Sequence, residues 1–280
     1  MKRLSCLRFA RPVGLLLGLL LPELVHAAPI TTSASGVAAA DIQAAVNAFR
    51  TALGDPNNAN NAGPLVGGRR EINWDGGGAT TPSPGGTPFT VFQNTRGATM
   101  TTPGSGFNQA SPADLALQFA NPDYTTTFAA FSPSRLFAPI GSNVTEVRFS
   151  VPGTGGAAAA TVSAFGAVFS DVDTNATTME FFDAGDLPLG SFVVPNTAGT
   201  ATFSFLGVQF DAGEQIGRVR IITGNTGALG PTDGQEGADV VVMDDFLYAE
   251  PVAVPEPSTV ALVALGLVGL GAARRFRAGS

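Results

Sequence analysis

Apolar residues recur along this chain with three different spacings. Near the two ends they are continuous: stretches 13–21 and 259–273 carry no charged side chain. Within 37–53 they are periodic. Ile42, Val46, Phe49 and Leu53 fall at i, i+4, i+7 and i+11, the stripe of an amphipathic helix, and Gly54 and Pro56 stop it. The pattern predicts a helix packed on the edge of the domain. Stretch 55–68, rich in Asn and Gly, reads as loop, and 77–88, rich in Gly, Pro and Thr, as irregular chain. Ser111, Pro112 and Asp114 form a capped helix start that Pro122 limits to a turn or two. From Asn143 onward the text is β. Segments 145–151, 162–170, 178–183, 190–194, 201–210, 217–223 and 239–248 are rich in Val, Ile, Phe or Thr, and most are bounded by Gly, Pro, Asn or Asp. With 89–93 they make about eight strands.

Several short strands with turn-rich connections predict a mainly β protein, an antiparallel β-sandwich of jelly-roll type with a short N-terminal helix. The expected organisation is a signal peptide over 1–27, the helix and its loop over 28–68, and the sandwich over 69–250. A linker over 251–258 and a transmembrane helix with an Arg-rich tail over 259–280 complete it.

The terminal stretches carry the address. Lys2, Arg3, Arg8 and Arg11 precede the first apolar run, and Val25 and Ala27 stand at −3 and −1 of a cut after Ala27. That is the grammar of a secretory signal removed by signal peptidase; nine apolar residues are too few to cross a hydrocarbon core of about 30 Å. At the other end Pro255, Glu256 and Pro257 precede fifteen apolar residues and the cluster Arg274, Arg275 and Arg277. As a helix those fifteen would span roughly 22 Å, and the arginines favour a cytoplasmic C-terminus. These three parts, in this order, resemble the PEP-CTERM sorting signal of Gram-negative bacteria. The resemblance implies an exosortase as partner, a membrane-anchored precursor before processing, and a final place at the cell surface or in the extracellular matrix. Hosts of such proteins commonly make extracellular polysaccharide, which makes that polymer an implied partner.

The body itself is similar to a group of secreted bacterial domains that often carry this tail. The residues that carry the similarity are Arg70 through Gly76, Phe131-Ser132-Pro133, Phe165 through Asp173, and Val242 through Phe246. It implies the fold and no particular reaction.

Composition removes much chemistry. Four of the fifteen basic residues lie before Ala28 and three after Val254, and the acidic residues lose one at each end. The stretch between holds eight arginines against twenty acids, a net charge of −12. Such a surface repels phosphate backbones, so nucleic acid is not an expected partner. The single cysteine, Cys6, and single histidine, His26, both lie in the signal, and the body has no lysine. No disulfide, thiolate nucleophile, imidazole base or Schiff-base lysine is available there, and the common zinc ligands are missing. Among catalytic designs a carboxylate pair of the glycosidase kind remains.

Acidic residues gather at three places. Asp171, Asp173 and Asn175 place oxygens at positions one, three and five of a loop between two strands, the opening of a calcium loop. Ala176 and Phe182 stand where an EF-hand needs glycine and glutamate, so further ligands must come from elsewhere; the plain alternative is turn chemistry. Asp244 and Asp245 end a strand of high apolarity. Consecutive strand residues point to opposite faces, so the two cannot share a site without a bulge. One is expected inside, neutralised by Arg148, Arg218 or Arg220, or by calcium. We take Asp171, Asp173, Asn175 and Asp244 as the candidate ligands. Trp74 and Asp75 offer an indole beside a polar handle, a candidate sugar site, against the plainer role of a core plug. The segments 183–186 and 233–237 read as turns.

The expectation is therefore a non-enzymatic, calcium-stabilised surface or matrix module associated with extracellular polysaccharide. The rivals are a carboxylate-dependent glycoside hydrolase or lyase and a purely structural adhesion protein.

Overall fold

The computed structural model describes residues 28–75, 83–210, 213 and 215–254. Two antiparallel sheets form a sandwich. The first has eight strands, seven of them in the order β1 (Ile30–Gly36), β12 (Phe203–Gln209), β9 (Ala164–Ser170), β14 (Val242–Ala249), β6 (Leu136–Ile140), β5 (Gly106–Ala110) and β3 (Ser83–Gly85). The eighth, β2 (Arg69–Ile72), also pairs with β14. The second runs β11 (Pro188–Val193), β10 (Thr178–Phe182), β13 (Arg218–Ile222), β7 (Val144–Ser150), β8 (Ala159–Thr161) and β15 (Val252–Ala253), with β4 (Ala98–Thr101) on β7. Four helices accompany them: α1 (Ala39–Leu53), α2 (Gln93–Arg96), α3 (Pro112–Gln118) and α4 (Tyr124–Thr127). The signal peptide and the C-terminal transmembrane helix expected from the sequence lie outside the described residues. Among the described residues no helix is long and apolar enough to cross a membrane.

The two sheets differ in what covers them. Strands β7 and β10 alternate buried and open positions, so the second sheet has one face on the core and one in solvent. Its solvent face carries Glu146, Arg148, Glu180, Arg218 and Arg220, tied by ion pairs to each other and to Asp186. Every residue of β9 and β14 is buried. Their inner face meets the second sheet, Phe165 and Tyr248 lying 6.1 and 5.4 Å from Phe149 between ring centroids. Their outer face lies under α1, which brings Ile42, Val46 and Phe49 onto Val168, Phe205 and Leu247. The helix thus lies across a sheet face and not along the domain edge. Paired Gly166 and Gly207 make its seat: a Cβ on either would come within 2.8 Å of the Phe49 ring. A third cluster, beneath α3 and α4, joins Leu115, Phe119, Tyr124 and Phe128 to Leu136 and Val242.

Seven of the expected strands are present within a few residues of their sequence bounds, and Ser111 caps α3 by accepting from Asp114 N at 3.2 Å. Segment 89–93 is different. Phe89 makes one bridge to Met100, the chain turns, and α2 begins at Gln93. Phe89 and Phe92 are both buried while Val91 is open, a spacing of three that a turn satisfies and a strand does not. The strands that the sequence did not announce have weak local signals: β1 is nearly all small and polar, β2 holds three charges in four residues, and β6 contains Pro139.

Phe49→Ala is expected to cost about 3–5 kcal/mol of unfolding free energy, as for other buried Phe truncations. Gly207→Ala should destabilise as well, although a glycine inside a strand is ordinarily the weaker choice, because its Cβ meets the Phe49 ring. Denaturant unfolding of both variants checks this; a neutral Gly207→Ala would contradict the seat described here.

Candidate metal centre

Five carboxylates are buried among the described residues: Asp171, Asp239, Asp244, Asp245 and Glu250. A buried charge is costly unless donors or a counter-charge surround it. Glu250 receives Arg70 through two bonds of 2.6 Å, plus Asn58 Nδ2 and Leu65 N. Asp244 accepts from Phe131 N at 2.6 Å and from Ser132 N and Oγ. Asp245 accepts from Ser132 Oγ at 2.6 Å and from Arg50 at 3.4 Å. Asp239 accepts from Asp173 N, Thr174 N and the Thr174 hydroxyl. Asp171 differs from the other four: neither of its oxygens meets a donor among the described residues.

Asp171 follows the last residue of β9, so the doubly covered strand carries it inside. Its backbone sits at φ +70°, a region that a non-glycine residue seldom occupies. One oxygen each of Asp171, Asp173 and Asp233 lie within 4.8 Å of one another, Asp171 buried and the other two partly open. Asp173 is held by accepting from Gly199 N at 2.8 Å, and Asp233 by accepting from Val240 N at 2.8 Å. Asp239 ties the loop after Asp173 to the start of the β14 segment. Burial, then the carboxylates of Asp233 and Asp173, push Asp171 up to about 9. Burial also raises Asp233 and Asp239. Three acids around one point, one without a donor, have two ways to settle: Asp171 takes a proton and shares it with Asp233, or a cation takes the proton's place. Oxygen-only ligands of this kind suit a hard divalent ion such as Ca²⁺.

Of the four residues read from the sequence as ligands, Asp171 and Asp173 belong to this cluster. Asn175 does not. The Thr174 amide and hydroxyl bind Asp239, which folds the loop toward 239 and leaves Asn175 exposed at its tip. Asp244 belongs elsewhere, at a register shift of β14 between Met243 and Phe246. That bulge lets Asp244 and Asp245 share Ser132 Oγ, so both are inside and not one. Burial and then Asp245 raise Asp244 well above its ordinary range, and burial raises Asp245. Arg50 is the cation beside Asp245, whereas Arg148, Arg218 and Arg220 serve Asp186 and Glu146 on the second sheet.

Trp74 is wholly buried. It stacks on Phe137 at 3.8 Å, its Nε1 donates to Asp244 O at 2.8 Å, and its carbonyl receives Gln109. No face is left for a sugar, which corrects that expectation. Asp75 accepts from Ser134 N and Arg135 N, fastening a loop. Asp233 and Asp239 are the residues that sequence reasoning missed. Asp233 opens an Asp-Gly turn, and nothing local ties it to a loop more than fifty residues earlier.

Pro255, Glu256 and Pro257 lie outside the described residues. Residues 253–275 match the PEP-CTERM protein-sorting motif. No curated protein matches the chain. The fold and this motif together define an exported protein with a β-sandwich body and a C-terminal sorting tail, of the kind that exosortase processes.

A carboxyl raised in the folded state keeps a proton that the unfolded chain has released, so stability falls as pH rises from the unfolded value toward the folded one. For Asp171 that window runs from 3.8 to about 9. In EGTA the melting temperature should therefore fall between about pH 5 and pH 9. Asp171→Asn should flatten that fall without removing it, because Asp244 shifts in the same direction. A wild-type curve that rises over this range would contradict the assignment.

Proposed function

We propose that the exported body is a non-enzymatic module stabilised by one calcium ion at Asp171, Asp173 and Asp233 and associated with extracellular polysaccharide. The observation that carries the reading is Asp171, a wholly buried carboxylate with no donor on either oxygen among the described residues, placed against two further carboxylates. A buried carboxylate without donors calls for a partner, and a cation held by three acids supplies one. The other four buried carboxylates have donors built from the chain, so the want of one at Asp171 is specific to that position.

The non-enzymatic part of the reading is supported by two clefts formed by described residues. One, at Gly141, Asn143, Asn225 and Leu229, has no titratable side chain. The other has one acid, Glu71, already bonded by Arg50 and Arg69. Asp244 and Asp245 are adjacent in one strand, covered, and bound to the 131–132 turn, whereas a glycosidase pair faces across an open cleft at about 5–9.5 Å. The sorting tail supports the polysaccharide association, through the usual setting of such tails.

A ligand that binds only the folded state adds RT ln(1 + [L]/Kd), about 2.7 kcal/mol at a hundredfold excess. For a body of this size that corresponds to a melting temperature about 5 °C or more higher in calcium than in EGTA. Asp171→Asn and Asp233→Ala should abolish the difference. Asp123→Ala, at an exposed position where the carboxylate makes no bond among the described residues, should leave it intact. Scanning calorimetry of the purified protein decides, and equal wild-type melting in calcium and EGTA would remove the metal.

A further inference from the structure

The last strand of an open sheet leaves a row of main-chain donors and acceptors unpaired. Proteins ordinarily blunt such an edge with a short strand, proline, charge, a bulge or a covering segment. Among the described residues most free edges of this sandwich are blunted in those ways. β3 has three residues, one of them Pro84, and β15 has two. β11 opens on Pro188, and its register with β10 shifts between Phe181 and Phe182. The outer side of β2 is bonded by the 56–58 chain, through Asn58 N to Arg69 O and Arg69 N to Pro56 O, and that of β4 by Phe89.

β1 has none of these devices. Its seven residues carry no charge and no proline, and they pair with β12 in one unbroken register. The ladder fixes which main-chain groups are used. Asp171 N bonds Thr202 O and Phe210 N bonds Ser163 O, so the even-numbered residues of β12 face β9 and the odd-numbered ones face β1. Their partners are Ile30, Thr32, Ala34 and Gly36. The N–H and C=O of Thr31, Ser33 and Ser35 therefore point away from the sheet. Thr31 and Ser33 are exposed, and Ser35 is tied through its hydroxyl alone, to Asn196 O. Among the described residues no other main-chain group bonds these three.

We propose that this edge pairs with the same edge of a second copy of the chain, antiparallel about a two-fold axis at Ser33, so that two eight-stranded sheets become one. The spacing of the outward residues fits that axis. It sets Ser33 opposite Ser33 and Thr31 opposite Ser35, and each pair exchanges two bonds. All the outward groups of β1 are then used, whereas a shifted register leaves some unpaired. Exposed Ile30 comes opposite Gly36, next to exposed Val37, so the joint covers apolar surface at both ends. A foreign strand fits less well, because β1 offers backbone groups without the side-chain pockets by which such edges select a sequence. Charge points the same way: a body of net charge −12 meets its own copy with least repulsion along an uncharged edge.

The test is sedimentation velocity of the purified protein at about 0.15 M salt, where charges beyond about 8 Å are screened. One strand pair buries little area, so a weak dimer is expected, its fraction rising across roughly 1–500 μM. Over the same range hydrogen exchange should slow at the Thr31, Ser33 and Ser35 amides, which face water in the single copy. Ser33→Pro removes the outward N–H and keeps the bonds to β12, a place where an edge strand accepts proline. It takes two bonds from each dimer and should weaken association about tenfold or more. Ser33→Lys sets like charges opposite each other across the axis and should weaken it as well. Lysine also reduces the negative charge of the body, so through any other surface it would strengthen association. If Ser33→Pro does not fold, Ser33→Lys decides. A monomer throughout the range, a dimer that Ser33→Lys leaves as strong or stronger, or a dimer whose β1 amides exchange freely would overturn the assignment.

Discussion

The eight-stranded sheet is covered on both faces, and most of what is unusual in this body follows from that. A strand with two buried faces has no outward position for a charge. β9 meets the constraint with small and apolar residues and two facing glycines where Phe49 lies against it. β14 cannot, because it carries Asp244 and Asp245 in its middle and leads into Glu250. Each acid is neutralised by a different device: a bulge and the 131–132 turn for the pair, and a fully bonded Arg70 for Glu250. A charge buried without such a device would favour unfolding by several kcal/mol. The same covering carries Asp171 inside at the end of β9, and there no described residue supplies a donor.

Charge balance follows the same logic. With lysine and histidine absent from the body, arginine is its only side-chain cation. Arg69 and Arg50 bracket Glu71, Arg70 holds Glu250, and Arg148, Arg218 and Arg220 ladder across the open face of the second sheet. That ladder is solvent-exposed in part and contributes little stability, while keeping the open face soluble. Against so full an allocation, Asp171 stands out as a buried acid whose oxygens meet no donor among the described residues.

The β-rich half was legible because its strands carry their own signals. Segments such as 145–151 and 178–183 alternate, and the spacing of Ile42, Val46, Phe49 and Leu53 named the helix and its buried face. The rest depended on partners far along the chain. β2 and β6 are strands because β14 offers them an edge, and no local pattern in Arg69–Ile72 or around Pro139 says so. Asp171 and Asp173 were readable as a pair of oxygen ligands, but the third carboxylate comes from Asp233, across a turn that reads as ordinary. Asn175 fitted the spacing and failed on geometry, since Thr174 bends the loop toward Asp239. Trp74 shows the limit of composition: a lone indole beside an aspartate reads as well for a core plug as for a sugar platform, and its stacking on Phe137 decides. The tail was legible because its three parts stand next to one another in the sequence.

What completes Asp171 decides whether this body holds a metal. A crystal structure of the purified protein grown in calcium tests it most directly. One ion per chain is expected, with an oxygen from each of Asp171, Asp173 and Asp233 at about 2.3–2.6 Å, the range for calcium. An empty site at saturating calcium, with Asp171 and Asp233 in hydrogen-bond contact over a shared proton, would contradict it.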